Sequence, residues 1–117
     1  MNIRGQLYTK LNNETEAESR VYGGGRAPQG TDTPYIVFFM VSNNRRYSLE
    51  GHANLTRTRI QVSCYGSSYQ EASDLAEEVT ELLEGWEGKY VVQDNKQDLY
   101  EEETGVYHVP VDFFIGY

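Results

Sequence analysis

Apolar residues recur at helical spacing in two stretches of this chain and alternate, or run together, in several others. Ile3, Leu7, Tyr8 and Leu11 fall on one side of a helix, which predicts a short amphipathic helix near the start. Tyr69, Ala72, Leu75, Ala76, Val79, Leu82, Leu83 and Trp86 do the same over a longer span. Ser68 and Glu71 form a capping box ahead of that span: the serine hydroxyl can accept from the Glu71 amide while the glutamate reaches back. Gly85 and Gly88 end the helix. The run Pro34 to Val41 is apolar throughout, short, and rich in β-branched and aromatic residues. It reads as a strand buried on both faces, or one whose second face meets a partner.

Arg57 to Tyr65 is a cleaner strand, with Ile60, Val62 and Cys64 on one face and Gln61, Ser63 and Tyr65 on the other. Lys89 to Val92 predicts a short strand, and Gln97 to Glu101 pairs with Val106 to Ile115 as a hairpin. Tyr107, Val109, Val111, Phe113 and Ile115 share a face of that last strand. Pro110 cannot donate to a ladder, so the strand is expected at a sheet edge or with its edge covered by another chain. Asn12 to Ser19 is polar and reads as a loop. Gly23 to Gly30 is a cluster of breakers read as a mobile loop. Arg45 to Thr56 alternates only weakly and reads as a long hairpin connection, and Ser42 to Thr56 is expected to be mobile in the isolated subunit and to order on assembly. The elements give an order α-β-β-α-β-β: an α+β fold, one domain over residues 1–117, with one main helix on a mostly antiparallel sheet.

Composition narrows the function. The 117 residues carry a net charge of −8, which argues against wrapping nucleic acid, since that needs clustered Lys and Arg. No apolar run approaches the roughly 20 residues that cross a bilayer, the opening Met1 to Gln6 has no apolar stretch of a secretory signal, and Cys64 is a single cysteine. The expectation is a cytosolic chain. His52 and His108 have no Cys or carboxylate at metal-ligand spacing, no serine lies in GxSxG, and the glycine cluster fits neither phosphate-binding motif. No enzyme, metal or cofactor is expected.

Charge placement says more. From Tyr69 to Glu87 the main helix bears Glu71, Asp74, Glu77, Glu78, Glu81, Glu84 and Glu87 and no Lys or Arg. Asp74–Glu78 and Glu77–Glu81 are like-charge pairs four apart, each destabilising by about 0.2–0.5 kcal/mol. Arg45, Arg46, Arg57 and Arg59 gather instead around the long hairpin, four of the ten basic residues. Ordinary solvated surface accounts for this pattern. So do complementary patches on neighbouring subunits, which make Arg45, Arg46, Tyr47, Arg57 and Arg59 the candidate interface residues.

The order of motifs resembles a known family. Arg20-Val21-Tyr22, Ala27-Pro28-Gln29-Gly30 and Pro34-Tyr35-Ile36-Val37 are similar to the opening of the tail-completion, or tail-terminator, family of siphophages and related prophages. The strand Arg59 to Gly66, followed at once by Ser68-Tyr69-Gln70-Glu71-Ala72, and the closing segment with Val111-Asp112-Phe113 extend the likeness over most of the chain. The resemblance implies a virion protein assembled in the host cytoplasm. It implies a homo-oligomeric ring, typically of six subunits, that caps the tail tube, contacts the tail tube protein, and docks on the head connector. It supplies no catalytic residues. The alternatives are another connector or stopper ring of the head–tail junction, and a small α+β ligand-binding or regulatory domain.

Overall fold

The computed structural model describes residues 3–24, 26–28, 30–47, 54–101 and 105–116, the side chains of 42–47, 54–57 and 101 excepted. Helix α1 spans Ile3–Leu11, strand β1 Val21–Gly23, β2 Tyr35–Tyr47 and β3 Asn54–Gly66. Helix α2 spans Tyr69–Glu84, followed by β4 (Tyr90–Lys96), β5 (Leu99–Glu101) and β6 (Val106–Gly116). The α+β class stands. The order is α-β-β-β-α-β-β-β: β1, not expected, precedes the apolar strand, and the three strands read after the main helix are each present, which makes the order longer than the α-β-β-α-β-β stated from them.

Six strands form one sheet in the order β1-β2-β3-β6-β4, with β5 beside β6 on the same side as β4. Only β1 and β2 are parallel. The helices lie on one face of the sheet. There α2 buries Ala72, Leu75, Ala76, Val79 and Leu83 against Ile60, Val62 and Cys64 of β3 and Val109, Val111, Phe113 and Ile115 of β6. Fully burying an aliphatic side chain contributes about 1.5–3 kcal/mol, so this layer dominates the stability. Helix α1 adds Ile3, Leu7 and Leu11, and the turn after it adds Ala17. Cys64 is fully buried, and desolvation pushes its thiol far above the ordinary value. It is a small apolar core residue.

The capping box forms with one change. Ser68 is the N-cap and its hydroxyl accepts from the Glu71 amide at 3.1 Å, as expected. The Glu71 carboxylate reaches one residue further, accepting from the Ser67 amide at 2.9 Å.

Three expectations change. First, Val21–Gly23 is a strand. Its backbone continues into a bond from the Gly24 amide to the Phe38 carbonyl. Second, β6 lies in the interior of the sheet, paired with β3 on one side and with β4 and β5 on the other. Pro110 is tolerated there because its carbonyl, and hence its missing N–H, points to the gap between β4 and β5. The carbonyl accepts from the Gln97 amide at 3.2 Å in that gap. Its opposite neighbour across the other ladder is Ser63. Third, the two ends of the weakly alternating segment are paired strand: Arg45 faces Thr56, Arg46 faces Leu55 and Tyr47 faces Asn54. The remainder of that connection, with His52, lies outside the described residues.

The β2–β3 ribbon outruns the sheet. On its other side β3 is paired with β6 only as far as Arg57, opposite Gly116, so the rungs from Arg45 to Tyr47 are two-stranded. The Cα radius of gyration is 14.9 Å, above the about 13 Å of a compact domain of this length, as a projecting arm requires.

Gly66 ties β3 to α2. A Cβ there would sit 2.6 Å from the Ala72 nitrogen and 3.1 Å from its Cα, both backbone atoms that cannot swing aside. Gly66→Ala is expected to lower stability by roughly 1–3 kcal/mol, the usual cost of overpacking. A lower denaturant midpoint at unchanged slope is the signature; a midpoint at the wild-type value would show that the strand–helix corner has slack.

Candidate subunit interface

Directly opposed residues on paired strands share a face, so the strand register defines what the sheet shows on the side away from the helices. Tyr35, Tyr65 and His108 stand in a row across β2, β3 and β6. Their rings stack, Tyr35 on Tyr65 at 4.6 Å and Tyr65 on His108 at 4.2 Å between centroids. Leu99 of β5 continues the row and is exposed. Two rungs along, Phe39 lies opposite Gln61, and Gln61 opposite Asp112. This face is half aromatic and has no helix over it. The apolar strand β2 buries Ile36 and Phe38 on the helix side; on the other face Val37 is buried too, while Phe39 is exposed.

Arg59 sits on this same face, held within its own subunit. Its Nη2 lies 3.1 Å from the Asp112 carboxylate and 3.1 Å from that of Asp94, and its guanidinium stands 5.3 Å from the Phe114 ring centroid. Asp112 also accepts from the Gln61 amide at 3.0 Å. Arg45, Arg46 and Tyr47 lie instead on the arm, and Arg57 lies at its root. The structure thus divides the candidate interface set: Arg59 serves the sheet, and the backbone of the other four is carried outward.

On α2 the acidic residues Asp74, Glu77, Glu81 and Glu84 are exposed. Among the described residues no ion pair neutralises them. Glu78 is less exposed; burial pushes its carboxyl above the ordinary value. The charge of Glu16 adds to this, a hydrogen bond from the Glu16 backbone opposes it, and Asp74 and Glu81 raise it further. Among the described residues no His, Cys, Asp and Glu side chains group as a metal site, and no helix is long and apolar enough to cross a membrane.

A family model described as Tail completion protein gp17 matches residues 6–117. The chain belongs to the tail completion protein gp17 family. That makes it a structural phage protein of the virion tail, with a role in tail completion. No curated protein matches the sequence. Among solved structures, a chain of "Virion of native gene transfer agent (GTA) particle" is similar, with a TM-score of 0.69 at 12% identity over 97% of this chain and 92% of that one. At that identity the likeness speaks for the fold.

The Asp94–Arg59–Asp112 group is a feature of this family member that its sequence hides. Asp94 and Asp112 are each a lone carboxylate in an apolar or polar strand, and only the register of three strands brings them to one arginine. The visible clue is that Asp112 takes a polar position between Val111 and Phe113 in an otherwise apolar run.

Two measurements follow from this geometry. Asp112 is almost fully buried with two donors aimed at it, so Asp112→Ala is expected to cost about 1–3 kcal/mol. Asp94 is more exposed, and Asp94→Ala is expected to cost less than about 1 kcal/mol. Equal losses in denaturant melts would contradict the assignment of Asp112 as the main anchor. Separately, the fold favours protonated Glu78. Its contribution is full below the ordinary value of 4.5 and is lost as pH rises through the higher folded value. Glu78→Gln is therefore expected to raise the melting temperature at pH 7 and to change it little near pH 4. A lower melting temperature at pH 7 would show that the carboxylate has a stabilising partner.

Proposed function

We propose that this chain is the tail terminator: copies of it close into a ring on the finished end of the tail tube, stop its growth, and offer the surface on which the head connector docks. The role is structural, without catalysis. One observation carries the reading beyond family membership, namely the two-stranded arm that leaves the sheet past Arg57 with Arg45, Arg46 and Tyr47 on it. A closed ring needs a heterologous joint, in which one patch of a subunit meets a different patch of the next. A projecting basic arm and an acidic helix on the body supply two unlike patches of opposite sign. Arginine suits such a joint because its planar fork binds carboxylates in pairs. Charge matching of this kind sets register and association rate, while exposed apolar surface supplies affinity.

Reversing the arm's charge tests the proposal. Arg45→Glu combined with Arg46→Glu is expected to leave the circular dichroism spectrum and melting temperature of the isolated subunit unchanged. The same variant is expected to abolish rings and to yield overlong tails without heads. Tails of normal length joined to heads would remove the arm from the joint. Overlong tails are also the expected phenotype when the gene is deleted; normal tails there would end the terminator reading itself.

A further inference from the structure

The strand registers place β4 at a definite height in the sheet. Tyr90 is level with Gly116, Gly116 with Arg57, and Arg57 with Asn44. At the other end Asn95 is level with Asp112, Gln61 and Phe39, and Lys96 with Phe38. Across the sheet, β1 covers β2 only from Ile36 to Phe38. From Phe39 onward the outer edge of β2 has no strand beside it among the described residues, and that open length begins where β4 ends. One side of the subunit thus bears a strand, and the opposite side a notch of matching length at the same height.

Each border is apolar and exposed over one half of its length and polar over the other. Tyr90 is 79% exposed and Val92 60% on β4; on β2, Phe39 is 37% and Val41 49% exposed. A groove of about 510 Å³ lies at the corner of the notch, between α1 and the end of β1, lined in part by Tyr8, Gly24, Phe39 and Met40. Open, apolar strand edges are templates for pairing with another chain, and proteins that keep them use them.

Resting on the ring reading above, we infer that β4 of one subunit docks along Phe39 to Asn44 of β2 in the next, continuing the sheet across the joint. The occupant is a second copy of this chain. A ring has no rise per subunit, so a strand fits its neighbour's notch only if the two lie at one height, and they do. Within the sheet β2 and β4 run in opposite directions, since three antiparallel ladders separate them. Rotation about an axis along the strands therefore makes the joint antiparallel, the better-bonded arrangement. Charge agrees. The last turn of α2 and the loop into β4 hold Glu84 and Glu87, both exposed, and the neighbour's Arg45 and Arg46 follow Asn44 at that same end. Each border also carries one bulge, at Val41 and at Asp94, which narrows the registers the two strands can share.

Cysteine pairing tests this joint. Phe39 and Asn95 are exposed and at one height, yet within a subunit they are three strand spacings apart, about 14 Å, too far for a disulfide. The Phe39→Cys/Asn95→Cys variant, oxidised as assembled rings, is expected to run on a non-reducing gel as a covalent ladder with loss of the monomer band. Phe39→Cys/Tyr100→Cys, whose second cysteine stands at another height, is expected to stay monomeric on the gel. Amide exchange in wild-type β4 is expected to slow on assembly, which needs no variant. Rings that form with β4 exchange unchanged, or that give no ladder with the matched pair, would overturn the joint and leave the ring reading intact. A wild-type chain that forms no rings, alone or on tail tubes, would sink both.

Discussion

Five side chains of α2 disappear between the helix and the central pair of strands, β3 and β6, and the other elements take their positions from that contact. Two of the five are alanines, Ala72 and Ala76, which let the helix lie close to the sheet. Gly66 lets β3 turn directly beneath the first turn of α2, with no room for a side chain. β3 and β6 are thus fixed from one face by α2, and on the opposite face by the Asp94–Arg59–Asp112 group. The strands β1, β2, β4 and β5 are then added outward from this pair.

That arrangement explains how the arginines come to differ. Arg59 lies where three strands meet, so two carboxylates can converge on it and its guanidinium stands over the Phe114 ring. The group is bound into the sheet and helps set the β3–β6–β4 register. The backbone of Arg45 and Arg46 lies past the last rung that β6 supplies, where among the described residues no third strand runs alongside. Position in the ladder, more than residue type, makes Arg59 an internal strut.

The same logic shows what was legible in the sequence. Helix α2, its capping serine, the alternation of β3 and the buried Cys64 were readable because each is a local pattern imposed by one neighbouring layer. Strand β1 was not, because three residues carry no periodicity and its bonds come from β2. Pro110 was misplaced for a more particular reason. The rule that proline marks an edge assumes a continuous neighbour, and here the neighbour is broken between β4 and β5 at that rung. The arm was read as a connection because outside the helix-covered sheet there is no core to enforce alternation. Of the candidate interface, the basic cluster was visible in sequence, but its division into Arg59 on one side and Arg45, Arg46, Tyr47 and Arg57 on the other depends on a register that only the folded chain sets.

A subunit with open strand edges faces the problem of pairing too early. The net charge of −8 opposes it, since copies carrying the same excess repel one another as they approach. That repulsion is screened over about 8 Å at physiological ionic strength, so it slows encounter far more than it weakens a joint once made. The acid on α2 beyond the capping Glu71 fits such a duty: Glu77, Glu81 and Glu84 are exposed, and the like-charge pairs four apart cost the helix a little. Short β1 serves the same end from the other direction, because it guards three rungs of β2 and leaves the notch as the stretch where a partner strand can enter. On the ring reading, then, the two departures from a self-contained domain belong together. A helix without lysines keeps free copies apart, and an incomplete sheet edge gives them one way to join when the tube end holds them side by side.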